Sequence, residues 1–203
     1  MSEQIRSFKI ITLGDSGVGK TSILRRFVSG KFEQKTLSML GFETSTKEIV
    51  LKNGTKIQLK LIDTAGQENY LALATSYIRN ADGVLFIFAH NSEESFKHIK
   101  RWLDSFKDNN HEFDFDNEFP AFLVGNKCDL EHIIDEADIE KLKNENNFYG
   151  YVDTSAKEDI GIDRVFYEMG EMLIKTKGKI KKQNMKLVTK NYKRKKKCMF
   201  CQA

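Results

Sequence analysis

Short apolar runs and amphipathic stretches alternate along most of this chain. FKIITLG (8–14), VLFIFA (84–89), AFLVGN (121–126) and GYVDTS (150–155) read as strands. Around them, KTSILRRFVSG, SEESFKHIKRWLDSFK, DEADIEKLKNEN and GIDRVFYEMGEMLIKTK space their apolar residues as helices do. Strands that are apolar throughout are buried on both faces, so the alternation predicts an α/β fold on a mostly parallel sheet covered by helices. One pair breaks the rhythm. GFETSTKEIVL and TKIQLKLID flank Asn53-Gly54, the dipeptide that favours the tight turn of an antiparallel hairpin. Asn53-Gly54-Thr55 also matches a glycosylation acceptor, but in a chain expected to be cytosolic the turn accounts for it. The acidic, aromatic stretch DNNHEFDFDNEF (108–119) reads as an insertion between the helix bearing Trp102 and the next strand.

Composition narrows the class. A chain of 203 residues, 40% hydrophobic, is long enough for one domain with a substantial core. No apolar run reaches the roughly 18 residues of a membrane-spanning helix, and MSEQIRSFKI lacks the apolar core of a signal peptide, so a cytosolic protein is expected. Cys128, Cys198 and Cys201 form no disulfide framework. His90, His98, His111 and His132 have no metal-ligand spacing and read as surface or packing residues.

The net charge of +4 conceals a division. From Lys175 onward there are 12 Lys or Arg and no Asp or Glu, so the acidic residues all lie in the body, which is net negative. The expected organisation is a globular domain over 1–176 and a flexible basic tail over 177–203. Such a tail calls for an anionic partner, membrane or nucleic acid, unless it is merely solvated.

The first chemical signal is GDSGVGKT, Gly14 to Thr21. It fits G-x-x-x-x-G-K-[ST] and stands between an apolar strand and a helix, where a phosphate cradle requires it. Its glycines let backbone N–H groups and the helix N-terminus approach phosphate. Lys20 is expected to reach the β- and γ-phosphates and Thr21 to ligate Mg²⁺. The second signal is NKCD, Asn126 to Asp129, at the carboxyl end of a predicted parallel strand. A carboxylate at Asp129 can accept from guanine N1–H and the exocyclic amine, donors that adenine lacks there, and the wrong base would leave it unpaired. TSAK, Thr154 to Lys157, follows another strand and could close the base pocket. A P-loop kinase acting on ATP is the competing class; NKCD and the lack of a recognisable acceptor-binding lid count against it.

With GDSGVGKT, DTAGQE (Asp63 to Glu68), NKCD and TSAK in this order, residues 5–176 resemble the Ras superfamily of small GTPases and, within it, the Rab family. The resemblance implies the three-layer P-loop GTPase fold, with a six-stranded sheet, one antiparallel edge strand and five helices. It also implies a GDP/GTP switch serving vesicle traffic. By position, Ser16, Gly17, Val18, Gly19, Lys20, Thr21 and Ser22 would hold the phosphates and Phe32 would pack on guanine. Asn126, Lys127 and Asp129, with Ser155, Ala156 and Lys157, would complete the base site. Asp63 would meet Mg²⁺ through water, the Gly66 N–H would bind the γ-phosphate, and Gln67 would orient the attacking water. Hydrolysis unaided would be slow, which implies an activating protein and an exchange factor, along with a GDP-dissociation inhibitor and effectors.

Three features depart from that pattern. Nineteen residues after Lys20, where the family places a threonine that gives its hydroxyl to Mg²⁺, stands Met39. Its thioether is a poor ligand for a hard cation. Two expectations follow: the GTP state is less completely ordered, or the neighbouring Ser38 replaces the missing oxygen. A nucleotide-bound scaffold with impaired switching is the alternative function. The family's aromatic surface on the hairpin, Phe and Trp with a Tyr from the following helix, reads here Thr44, Ile62 and Tyr77, which implies unusual effectors. The tail ends KCMFCQA, so Cys198 and Cys201 are lipidation candidates outside the usual paired endings. A C-x-x-C can also be half a zinc site or a redox pair. Lipid plus basic residues supplies the two signals that stable anchoring needs. The expectation is therefore a monomer on the cytoplasmic face of an endomembrane, exchanging with cytosol and binding no nucleic acid.

Overall fold

The hydrophobic pattern resolves into a six-stranded sheet of order β2-β3-β1-β4-β5-β6. The computed structural model describes residues 5–33, 42–64, 80–109 and 120–176. The strands are β1 (Arg6–Leu13), β2 (Phe42–Val50), β3 (Lys56–Thr64), β4 (Gly83–Ala89), β5 (Ala121–Asn126) and β6 (Gly150–Asp153). All neighbours run parallel except β2, which pairs antiparallel with β3 at the edge. This is the predicted α/β architecture. Asn53 and Gly54 form the hairpin turn: Gly54 has φ 80 and the Asn53 side chain accepts from the Thr55 N–H at 3.0 Å.

Helices cover both faces. They are α1 (Lys20–Ser29), α2 (Glu93–Lys97), α3 (Ile99–Asp108), α4 (Glu136–Glu145) and α5 over 162–176. Every residue of β4 and of β5 is buried, as strands covered on both faces require. On one face Phe27 of α1 stacks on Phe166 of α5, with ring centroids 3.9 Å apart. On the other, Trp102 and Phe106 of α3 pack with Phe86 and Ile62. Ile62 is thus a core residue, 1% exposed, and the expectation that it lies on the hairpin surface is corrected. Its cross-strand neighbour Thr44 is exposed.

The single helix expected over 92–107 is divided at His98. The N–H of His98 still donates to Glu94 O, but its ψ of −12 tightens the turn there.

β1 lies between β3 and β4, so the winding direction of the sheet reverses there. The loop after β1 accordingly opens at the topological switch point, beside the carboxyl ends of β4, β5 and β6.

Candidate functional site

Residues 14–19 join β1 to α1 in a conformation only glycine accommodates at two points. A Cβ on Gly14, at φ 147, would come within 2.1 Å of Ile87 O. One on Gly19, at φ 100, would come within 2.2 Å of Asn126 Nδ2. Ser16 and Gly17 stand at the exposed crest of the loop, Val18 is buried, and Ser22 is half-buried. Gly19 is the N-cap of α1, and no side chain caps that helix end. Its leading N–H groups therefore provide a positive terminus beside the loop.

Two charged side chains are buried here. Lys20 is 5% exposed and its Nζ donates to Gly14 O at 2.8 Å and Asp15 O at 2.7 Å. Burial pushes its ammonium down to about 8, against the pull of Asp63 and Asp15. Asp63, at the end of β3, is 4% exposed. Its Oδ2 accepts from Thr21 Oγ1 at 2.6 Å, whereas its buried Oδ1 has no partner among the described residues. Burial pushes this carboxyl up, with the Thr21 hydrogen bond and Lys20 opposing. An anion beside Lys20 and a cation beside Asp63 would each favour the charged form. The unsatisfied carboxylate oxygen and adjacent hydroxyl are the hard oxygen donors that Mg²⁺ takes. Among the described residues no group of three or more His, Cys, Asp or Glu is placed to hold a metal.

Asn126, 2% exposed, links the phosphate-type loop to the other loops. Its Nδ2 donates to Val18 O at 2.7 Å, and its Oδ1 accepts from Thr154 Oγ1 at 3.2 Å and the Ala156 N–H at 3.3 Å. Asp129 Oδ1 accepts from Ser155 Oγ at 2.6 Å, and its Oδ2 lies 3.8 Å from Lys157 Nζ. Lys127 adopts φ 63, and burial lowers its pKa against the attraction of Asp129. The sequence candidates at 126–129 and 155–157 thus converge on one edge of the sheet, beside residues 14–22. Phe32 packs, partly buried, against the core that holds Phe27 and Phe166. Met39, Ser38, Gly66, Gln67, Tyr77, Cys198, Cys201, His111 and most of the 108–119 insertion lie outside the described residues.

Three further residues contribute without a local signal in the sequence. Arg26 of α1 donates from Nε to Ala156 O at 2.8 Å and from Nη2 to Lys157 O at 2.9 Å, tying that loop to α1. Nothing local distinguishes it from any other basic helix residue. His98 Nδ1 lies 2.7 Å from Asp15 Oδ2, and buried His90 lies 2.6 Å from Asp153. His90 packs on Phe88 and His132, and His98 is partly exposed, as their reading had it, and both also serve polar networks.

The sequence model of the Ras family matches residues 9–175. The Ras-related protein Rab-13 of Bos taurus is 33% identical over 88% of this chain and 86% of its own length. The Ras-related protein SEC4 of Saccharomyces cerevisiae is 34% identical over 81% and 74%. The GTP-binding protein ypt3 of Schizosaccharomyces pombe is 35% identical over 78% and 72%.

Proposed function

The chain belongs to the Ras family, as a Rab-type small GTPase, and from that premise we propose that it alternates between GDP- and GTP-bound states to regulate vesicle and membrane traffic. The observation that carries this reading is the junction at Asn126. One side chain bonds both the phosphate-type loop at Val18 and the 154–156 loop, while Ser155 orients Asp129. Base and phosphate recognition are thereby held in one frame. Asp129 accepts from the guanine N1–H and amine, Asn126, Lys127, Ser155, Ala156 and Lys157 surround the base, and Phe32 packs on it. The N–H groups of residues 16–22 and Lys20 hold the phosphates.

Thr21, and Asp63 through water, would hold Mg²⁺, for which their oxygens and burial suit them. When bound, the ion offsets charge on the β- and γ-phosphates. The Gly66 N–H binds the γ-phosphate and Gln67 orients the water that attacks it, yielding GDP and phosphate. Positioning and charge stabilisation supply most of the rate in this chemistry. The intrinsic rate is slow, so an activating protein, an exchange factor, a GDP-dissociation inhibitor and effectors complete the cycle. The basic tail, lipidated at Cys198 or Cys201, attaches the protein to an endomembrane; among the described residues no helix is long and apolar enough to cross one.

Met39 favours a second reading, a nucleotide-bound membrane scaffold whose GTP state is poorly ordered. The retained Gln67 favours cycling.

Nucleotide extracted from the purified native protein tests the first requirement. Guanine nucleotide is expected; adenine nucleotide in its place would overturn the proposal.

A further inference from the structure

His90, the residue after β4, is 2% exposed, and the nucleotide reading gives it no task. Its main chain joins two stretches. The N–H donates to Asn126 O at 2.9 Å, and the carbonyl accepts from the Ile133 N–H at 3.2 Å. Its ring reaches a third, with Nε2 2.6 Å from Asp153 Oδ1. The Tyr151 hydroxyl donates to the same carboxylate oxygen and lies 3.2 Å from His90 Nε2. An ionised carboxylate only accepts, so Nε2 carries the hydrogen that His90 gives to Asp153. The imidazole also stacks on His132 at 3.9 Å, and His132 Nε2 donates to Cys128 O at 3.1 Å.

These contacts reach the base-recognition loops through main-chain groups of the 126–129 turn and through Asp153. Asp153 immediately precedes the 154–157 loop, and Cys128 lies between Lys127 and Asp129. The two loops also meet directly, Cys128 N–H to Thr154 O at 3.1 Å and Thr154 N–H to Gly125 O at 2.8 Å. Meanwhile His90 Nδ1 is buried with no partner among the described residues, a cost that an apolar residue would avoid. The polar contact that offsets this cost is the one Nε2 makes at Asp153.

We propose that His90 is a positioning residue for base recognition, which with Asp153 fixes the 126–129 turn against the 153–157 loop and so sets Asp129 at the edge of the purine. The inference rests on the guanine reading above. The His90 ring acts through Asp153, which leads into the 154–157 loop whose Ser155 donates to Asp129, so its effect is read at the base.

Dissociation of GDP and of IDP, which lacks the 2-amino group that Asp129 accepts from, separates this role from packing. The wild-type protein should retain GDP over IDP. His90→Leu keeps bulk but removes the donor, and should speed GDP release about tenfold while narrowing the GDP:IDP ratio by several-fold. His90→Gln, whose amide nitrogen can donate to Asp153, should recover most of both. Should His90→Leu fail to fold, Tyr151→Phe removes the other donor to Asp153 and should narrow the ratio in the same direction. An unchanged ratio, or equal loss of both nucleotides without rescue by Gln, overturns the inference and leaves the guanine reading standing. A wild-type protein that retains ADP as well as GDP overturns both.

Discussion

The indole Nε1–H of Trp102 donates to the Asp15 carboxylate at 2.7 Å, joining α3 to the phosphate-type loop across 87 residues of sequence. His98 holds the other carboxylate oxygen at 2.7 Å, and the Asp15 main-chain carbonyl accepts from Lys20. The helix therefore fixes the loop that turns two carbonyls toward the buried lysine. Trp102→Phe keeps the ring and deletes the donor. Because the Asp15 side chain is 21% exposed, water can partly replace the indole, and the expected loss of stability is about 1 kcal/mol rather than the larger penalty of a sealed site. Urea unfolding measures that loss, and GDP release should quicken with it.

Gly19→Ala should do more. The substitution places a Cβ at φ 100 and 2.2 Å from Asn126 Nδ2, so the loop must shift or Asn126 must leave Val18. A left-handed backbone alone costs an L-residue roughly 1–2 kcal/mol. The variant should unfold at lower urea concentration and lose nucleotide retention out of proportion to that change, as read by dissociation of a fluorescent GDP analogue.

Asp153 gives an acid dependence. Partial burial pushes its carboxyl up, but hydrogen bonds from His90 and Tyr151 outweigh this and hold it below the ordinary aspartate value of 3.8. A depressed folded-state pKa means that Asp153 stabilises the fold fully well above 3.8 and progressively less as pH falls through that value and then through its own lower one. The same burial and the Asp153 contact push the Tyr151 hydroxyl up, so it remains a donor throughout. The stability advantage of wild type over Asp153→Asn should therefore hold near neutrality and shrink on acidification from about pH 5 to about pH 2. Urea midpoints across that range check it.

Met39 separates the two readings of the switch. If a missing Mg²⁺ ligand limits the GTP state, Met39→Thr should raise affinity for a GTP analogue by about tenfold and leave GDP affinity unchanged, since ordering of this segment comes from γ-phosphate and metal contacts. If Ser38 supplies the oxygen, Met39→Thr should change little and Ser38→Ala should lose the analogue's affinity.

The architecture was largely legible because its signals are local. The apolar runs at 84–89 and 121–126 became strands buried along their whole length, and Asn53-Gly54 became the hairpin turn. Ile62 was misassigned because the face a strand residue buries is set by the tertiary fold, which here places it in the cluster that also holds Trp102 and Phe106. The site was legible where its residues form contiguous strings, at 14–21, 126–129 and 154–157. It was not legible where polar groups meet across distant segments. Trp102 with Asp15, His90 with Asp153, and Arg26 with Ala156 are neighbours only because the sheet order places β4, β5 and β6 beside the end of β1. No spacing rule within one segment encodes such pairs.

Single-turnover hydrolysis of GTP by the native protein, alone in Mg²⁺ buffer, tests the central claim most directly. Bound GTP should convert to GDP and phosphate at about 10⁻⁴ to 10⁻³ per second, and not at all in Gln67→Leu. Bound GTP that stays intact over hours in the wild-type protein would contradict it.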